Sequence, residues 1–326
     1  MNSIFAIKLL LLFTYANKAK GIKSDQCEDV NSLQDSKISS LSRAAIPELS
    51  RDKRKGAAGR IVVIGGSAEY TGAPYFAAIS ALKVGADLVH VITTESAAPV
   101  IKSYSPDLIV LPIRNIHSLS KINAVLPKMH VVVIGPGLGR EPEDLDLVYE
   151  VIKTCKTLKK PLVLDADGLY AIAKNVSVLK DYPTPGAILT PNHAEAKRLK
   201  DAVQNDNWFD YWGPYVSVVE KGQEDEYHSS LGNISWKISD IGSGRRAAGQ
   251  GDILAGSLAT FFHWAIESNL CKNDYSVKLA QSIATYSAAK FTRTCNFKAF
   301  TKLGRSMTAS DMINEIHSAF TELFDQ

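Results

Sequence analysis

Residues 244–262, GRRAAGQGDILAGSLATFF, set two arginines, a run of small residues and one acid ahead of a strongly apolar stretch. Asp252 falls where a helix should begin. The first N–H groups of a helix have no intrahelical partner and attract anions. Ala247, Ala248, Gly249 and Gly251 leave room for a phosphate to come close to them. The helix end also favours an ionised carboxylate. An aspartate so placed can take a proton from a hydroxyl while the adjacent N–H groups hold a transferring phosphoryl group, as phosphoryl transfer requires. Arg245 and Arg246 are available to pair with phosphates. A helix N-cap after a glycine turn would explain Asp252 alone, but not the arginines and small residues around it.

Similar clusters follow other apolar runs. GGSAEYTGAP follows RIVVI, GPGLG follows HVVVI, DADG follows LVL, TPNHAE follows AIL and EKGQED follows VSVV. Turn chemistry explains any one of them; five at the same expected edge point to a site. The glycines of GPGLG (Gly135, Gly137, Gly139) let backbone approach a bulky polar ligand. Neither GxGxxG nor the P-loop GxxxxGK[ST] occurs, so a bound nucleotide is held another way. Asp165 and Asp167 either orient substrate hydroxyls, hold Mg²⁺ through water, or cap a helix. Asn192 and Glu195 have capping-box spacing, and a glutamate at a helix start beside other acids also suits a metal–phosphate centre. His193 reads as a polar surface residue.

These clusters need a scaffold. From Arg60 onward, short β-branched runs ending in glycine alternate with helical stretches, and YHSSLGNISWKIS suits a hairpin. Three helical stretches, 252–267, 276–292 and 310–324, finish the chain. Strands this apolar are buried on both faces, so the expectation is an α/β fold with a mainly parallel sheet between helix layers. Ligands in such sheets bind at the carboxyl ends of the strands.

The chain has 326 residues, 45% of them hydrophobic, and 37 Lys and Arg against 34 Asp and Glu. A net charge of +3, scattered along the chain, gives no case for a nucleic-acid partner. Cys27, Cys155, Cys271 and Cys295 lie far apart, which suits reduced thiols rather than a zinc site or a disulfide framework. Residues 1–24 have an apolar core too short to span a bilayer and read as a targeting peptide, secretory or mitochondrial. Residues 25–45 read as a polar, Ser-rich linker, and 46–326 as one catalytic domain without a membrane span. Asn175 and Asn233 head N-x-S triplets, glycosylation acceptors if the protein is secreted.

AGQGD followed by an apolar helix resembles the GxGD motif of ribokinase-like kinases. The ordered set KGAAGRIVVIGGSAEYTGAPYF, GPGLG, LDADGL, LTPNHAEAKRL, KGQED, GRRAAGQGD and GRSMTASDMI resembles one branch, the ATP-dependent (S)-NAD(P)H-hydrate dehydratases, over residues 46 to the C-terminus. The resemblance implies a ribokinase-like three-layer α/β/α sandwich. It implies repair of NADH or NADPH carrying water across a nicotinamide double bond. ATP phosphorylates the hydroxyl, phosphate leaves, and ADP and phosphate are released, with Mg²⁺ required. By resemblance, Asp252 is the base and a substrate contact. Lys221, Gly222, Gln223, Glu224 and Asp225 contact ATP. Gly242, Ser243, Gly244, Arg245, Arg246, Ala247, Ala248, Gly249, Gln250 and Gly251 form an anion hole and ATP segment. Gly137 with Asn192, His193, Ala194, Glu195, Ala196, Lys197 and Arg198 contact the hydrated dinucleotide. A homo-oligomer, functional pairing with an NAD(P)H-hydrate epimerase, and a mitochondrial location are further expectations. Two departures stand out. The family usually reads RRCGGQGD, so Ala248 adds a methyl where a positive φ or a close phosphate would favour glycine, and weaker activity is expected. The segment 197–218 is short and carries NDNWFDYWGPY. Two other readings are a vitamin-precursor kinase of the same superfamily and an impaired nucleotide-binding homologue.

Overall fold

The computed structural model describes residues 35–114, 118–230, 234–268, 270 and 275–325. The leader expected over 1–24, Cys27, Cys271 and Asn233 lie outside the described residues. Asn175 is exposed. Cys155 and Cys295 are buried free thiols, and burial pushes Cys155 up to about 12.

Nine strands form one sheet among the described residues: β1 (Arg60–Ile64), β2 (Leu88–Thr94), β3 (Ile109–Ile113), β4 (Val131–Ile134), β5 (Leu162–Leu164), β6 (Ala187–Leu189), β7 (Val216–Glu220), β8 (Asp225–Ser229) and β9 (Trp236–Ile238). Their order is β3-β2-β1-β4-β5-β6-β7-β8-β9. Pairing is parallel from β3 to β7 and antiparallel from β7 to β9. Pro112 lies on the edge strand β3, where a missing N–H costs no ladder bond. The chain builds outward from β1 in one direction through β2 and β3, then returns to β4 on the other side. That reversal makes a crevice at the carboxyl ends of β1 and β4.

Side-chain alternation splits each strand between two cores. Ile61, Val63, Val131, Val133 and Val163 face one core. Val62, Ile64, Val132, Ile134, Leu162 and Leu164 face the other. The first core is closed by α1 (Asp35–Ala45), α2 (Gly72–Val84), α3 (Ala98–Tyr104), α8 (Gln250–Glu267), α9 (Tyr275–Leu303), α10 (Ala309–Asn314) and α11 (Ile316–Phe324). The second is closed by α4 (Leu119–Val125), α5 (Pro142–Thr157), α6 (Asp167–Lys174) and α7 (His193–Val203). The result is three layers, α/β/α. No helix of the described residues is long and apolar enough to cross a membrane.

Several boundaries differ from the sequence reading. Residues 35–45 are α1 rather than linker, because Ile38, Leu41 and Ala45 recur at helical spacing and enter the core. The helix expected over 276–292 continues to Leu303, and the one expected over 310–324 breaks at Glu315. NDNWFDYWGPY fills the second core: Trp208 and Trp212 are buried, and Trp212 Nε1 donates to Val176 O at 2.9 Å. α8 lies hard against α2, where a Cβ at Gly256 would sit 1.8 Å from Ala77 O and Thr260 Oγ1 donates to Ala81 O at 3.0 Å. That contact fixes where the N-terminus of α8 meets the sheet.

Candidate active site

The site is assembled at the carboxyl ends of β5, β6 and β7. Asp165 follows β5, Thr190 follows β6 and Lys221 follows β7. Lys221 N donates to Pro191 O at 2.7 Å, which carries the β6–β7 pairing on to an isolated parallel bridge at Asn192 and Lys221 and fixes the Lys221 backbone. Lys221 Nζ then reaches Asp165 Oδ1 at 2.6 Å, and Thr190 Oγ1 donates to the same oxygen at 2.8 Å. The Asp165 side chain is 3% exposed and that of Lys221 18%. Burial pulls the lysine down, but Asp165, Glu195 and Asp252 outweigh it, so the ammonium is held above its ordinary range. Asp165 is therefore neither a helix cap nor open to solvent. Asp167 heads α6, where its Oδ1 accepts from Arg140 Nε at 2.7 Å and its Oδ2 from Gly139 N at 3.1 Å. Between the two, Ala166 holds φ at +47°, a backbone position alanine rarely takes.

α8 brings its first turn onto this ion pair. A Cβ at Gly251 would lie 3.2 Å from Lys221 Nζ and 3.7 Å from Asp165 Oδ2. The helix starts at Gln250 with Gly249 as N-cap, so Asp252 is its third residue rather than its cap. Burial raises the Asp252 carboxyl most, followed by repulsion from Asp165. Lys221 opposes them, and Asp167 and Glu195 raise it further. The net position is well above the ordinary carboxylate range. A carboxylate raised toward the working pH binds a proton more strongly when it removes one, which suits a general base.

Beside Asp252, the loop before α8 borders a cavity of about 500 Å³. From the expected ATP segments it is lined by Lys221, Gly222, Gln223, Asp225, Gly242, Arg246, Ala247, Ala248, Gly249, Gln250 and Gly251. Asn192 also lines it, and so do Thr292, Arg293 and Asn296 of α9. Four expected residues do not. Glu224 is exposed, and Gly244 is exposed in the loop. Ser243 is held from behind, its N–H donating to Asn296 Oδ1 at 2.7 Å. Arg245 turns away, Nε donating to Met307 O at 3.4 Å, so Arg246 alone of the two arginines meets the cavity. The sequence reading missed Arg293 and Asn296, which hold the cavity wall. Arg293 Nε donates to Asp225 Oδ2 at 2.7 Å, and its other nitrogens donate to the carbonyls of Ile241, Gly222 and Gln223. A signal was present: in FTRTCN, Arg293 and Asn296 stand three apart and so share one helix face.

Ala248 lines the cavity but is not in the left-handed region; Gly249 is, with φ +94°. A Cβ at Gly249 would lie 2.7 Å from Ala309 Cβ and 2.9 Å from the Phe76 ring. The GRSMTASDMI segment thus backs the turn from which α8 starts. Gly249→Ala is expected to lose about 1–2 kcal/mol through backbone strain alone, read as a lower melting temperature together with weaker ATP binding. Ala248→Gly, by contrast, is expected not to raise kcat. It adds only unfolded-state entropy, a loss of about 0.4–1 kcal/mol of stability, which thermal unfolding measures.

The expected substrate residues divide by face. Asn192 caps α7 with Glu195 in a reciprocal box: Glu195 N donates to Asn192 Oδ1 at 3.0 Å and Asn192 N to Glu195 Oε2 at 2.8 Å. Burial raises the Glu195 carboxyl, and Lys221 opposes the shift, which places this side chain within electrostatic reach of the Asp165–Lys221 pair. Arg198 points to the Tyr170 ring. His193 is 92% exposed on its side chain, as expected of a surface residue. Ala194 is exposed, and Lys197 pairs with Asp201 at 2.7 Å on the outer surface. Ala196 belongs to the core. At Gly137, φ is +60° and a Cβ would meet Tyr70 Cβ at 2.7 Å, so the close approach that demands glycine is made by the protein itself rather than left for a ligand.

The fold is that of ribokinase-like proteins. A ribokinase-like superfamily protein from Enterococcus faecalis superposes with a TM-score of 0.69 at 19% identity, covering 88% of this chain and 95% of that one. The ADP/ATP-dependent NAD(P)H-hydrate dehydratase from Bacillus subtilis, co-crystallised with ATP/Mg²⁺, superposes at 0.65 with 22% identity, covering 87% and 97%. The chain belongs to the NAD(P)H-hydrate dehydratase family, whose profile matches residues 61–318. ATP-dependent (S)-NAD(P)H-hydrate dehydratases from Aedes aegypti and Homo sapiens are 48% and 46% identical to it. These alignments cover 91% of this chain and 88% of the mosquito protein, and 87% of this chain and 84% of the human one.

Proposed function

We propose that the protein dehydrates the S-form of hydrated NADH or NADPH at the expense of ATP, restoring NAD(P)H and releasing ADP and phosphate. The carrying observation is Asp252, raised well above the ordinary carboxylate range in the first turn of α8 and set beside the cavity that Arg246 and the α8 N-terminus border. Asp252 takes the proton of the ring hydroxyl as its oxygen attacks the γ-phosphorus of ATP. The N–H groups opening α8 and the Arg246 guanidinium receive the phosphoryl charge. Hydroxide is a poor leaving group and phosphate a good one. The ring nitrogen pushes its electron pair toward the carbon as phosphate departs, and loss of a proton from the adjacent carbon restores the double bond.

Among the described residues no three His, Cys, Asp or Glu side chains are placed to hold a metal ion. Mg²⁺ does not need them, since one or two carboxylates, waters and substrate phosphates usually suffice. Asp165, Asp167 and Glu195 all repel the charge on Asp252, and the attraction of Lys221 does not outweigh them, a balance that a divalent cation fits. Glu195, through water, is the residue that would hold Mg²⁺, which when bound neutralises charge on the transferring phosphoryl group.

Incubation with ATP, Mg²⁺ and (S)-NADHX tests the reading, with NADH absorbance, ADP and free phosphate followed together. All three rising in step is the expected result. ADP without phosphate or NADH identifies a kinase with a stable phosphorylated product, and nucleotide binding without turnover identifies an impaired homologue.

A further inference from the structure

Three cationic side chains from different elements converge on Tyr170 of α6. Arg140, in the loop after GPGLG, places Cζ 4.8 Å from the ring centroid. Lys174, one helical turn beyond Tyr170, places Nζ at 5.3 Å, and Arg198 of α7 places Cζ at 5.5 Å. A ring quadrupole attracts each cation weakly, while the cations repel one another. The nearby carboxylates are already engaged. Asp167 accepts from Arg140 and Gly139, and Glu195 is tied to the Asn192 N–H. Glu195 attracts both arginines, but without an ion-pair contact. Lys174 and Arg198 form no ion pair among the described residues. Three cations thus stand against two carboxylates, Asp167 and Glu195, and the patch carries net positive charge.

We propose that Arg140, Lys174 and Arg198 bind a phosphate group of the dinucleotide substrate, its pyrophosphate or its ribose 2′-phosphate. The inference rests on the dehydratase reading for the identity of that substrate. Its position argues for the substrate rather than ATP, because none of the three cations lines the cavity beside Gly249, whose own cation is Arg246. The patch is nevertheless joined to the base: Asp167, held by Arg140, and Glu195, one turn of α7 before Arg198, are both felt by Asp252. A dinucleotide with its nicotinamide at Asp252 and its phosphates at the patch lies across the carboxyl ends of β4, β5 and β6. Guanidinium groups suit this task, since they offer paired donors to phosphate oxygens. Tyr170 acts as a positioning residue that gathers the three heads.

The test uses the full chain and the variants Arg198→Met, Lys174→Met and the double variant; Arg140 is spared because it also holds Asp167. Equilibrium binding of NADP⁺ and NAD⁺ is measured directly, independent of turnover. The double variant is expected to bind at least one of them more weakly by about tenfold or more, with ATP affinity and melting temperature kept. Loss confined to NADP⁺ assigns the patch to the 2′-phosphate; equal loss for both assigns it to the pyrophosphate. KM for the two hydrates should move in the same pattern. Equal affinities in wild type and double variant, or no binding of either dinucleotide by the wild type, overturns the proposal. If the double variant does not fold, the single variants decide by the same criterion. Wild-type turnover of (S)-NADHX is recorded separately, so a failure of the dehydratase reading is told apart from a failure of the phosphate site.

Discussion

Asp252→Asn is expected to lower kcat by about 10²–10⁴-fold, the usual contribution of a positioned general base, while ATP binding persists. The substitution keeps shape and removes only the charge. In this setting the charge is costly to the fold, because burial and the carboxylates of Asp165, Asp167 and Glu195 all oppose it. The melting temperature should therefore hold or rise, which separates loss of a base from loss of structure. The pH profile gives a second readout. A base acts only when deprotonated, so wild-type kcat should fall as pH drops through the Asp252 value in the complex. That value is raised, so the acid limb should lie above the range of an ordinary aspartate, about 3.9, and the limb should vanish in Asp252→Asn. An Asn variant with near-normal turnover would show that another group takes the proton.

The fold was legible where periodicity was unambiguous. VVVI and LVL read as strands buried on both faces, because each residue, not each second one, is apolar; the two cores show why both faces need cover. Asn192 followed by Glu195 fixed the start of α7, and the reciprocal cap is formed as that spacing implies. Segment 35–45 was not legible. Its serines dominate its composition, while Ile38, Leu41 and Ala45, the residues that dock it, are a minority visible only once the helix has a surface to meet. Such tertiary override of composition is ordinary for short terminal helices. The helix expected to end at Thr292 runs on to Leu303, and Thr292, Arg293 and Asn296 on it line the cavity.

For the site, residue types were readable but their partners were not. KGQED was expected to meet ATP as a unit. Lys221, Gly222, Gln223 and Asp225 line the cavity, but the Lys221 ammonium is engaged by Asp165, Asp225 by Arg293, and Glu224 is exposed outside it. A contiguous motif on a strand end must point its side chains in different directions, so only some can reach one ligand. The Asp165–Lys221 pair spans 56 positions of sequence, and no local pattern announces it. The Tyr170 cluster draws on three loops and helices for the same reason.

That ion pair leads to the second large effect. Asp165→Asn and Lys221→Met should shift the acid limb of the kcat profile in opposite directions. Asp165 raises the Asp252 carboxyl and Lys221 lowers it. Removing the Asp165 charge takes away a repulsion and frees the ammonium to favour ionised Asp252, so the limb moves to lower pH. Removing the ammonium takes away the attraction, so the limb moves to higher pH and less base is available at neutrality. The stabilities differ as well. Lys221→Met leaves the Asp165 carboxylate buried and uncompensated, with Thr190 its one remaining side-chain donor among the described residues, at a cost of about 3–5 kcal/mol. The double variant removes both charges and should recover most of that loss, so the two single effects should not add. Urea unfolding with the pH profiles checks both points. A purely structural pair would lose stability in each variant while leaving the limb where it was. Opposite displacements with non-additive stability would show that one buried contact both holds β5 to β7 and sets the proton affinity of the base above it.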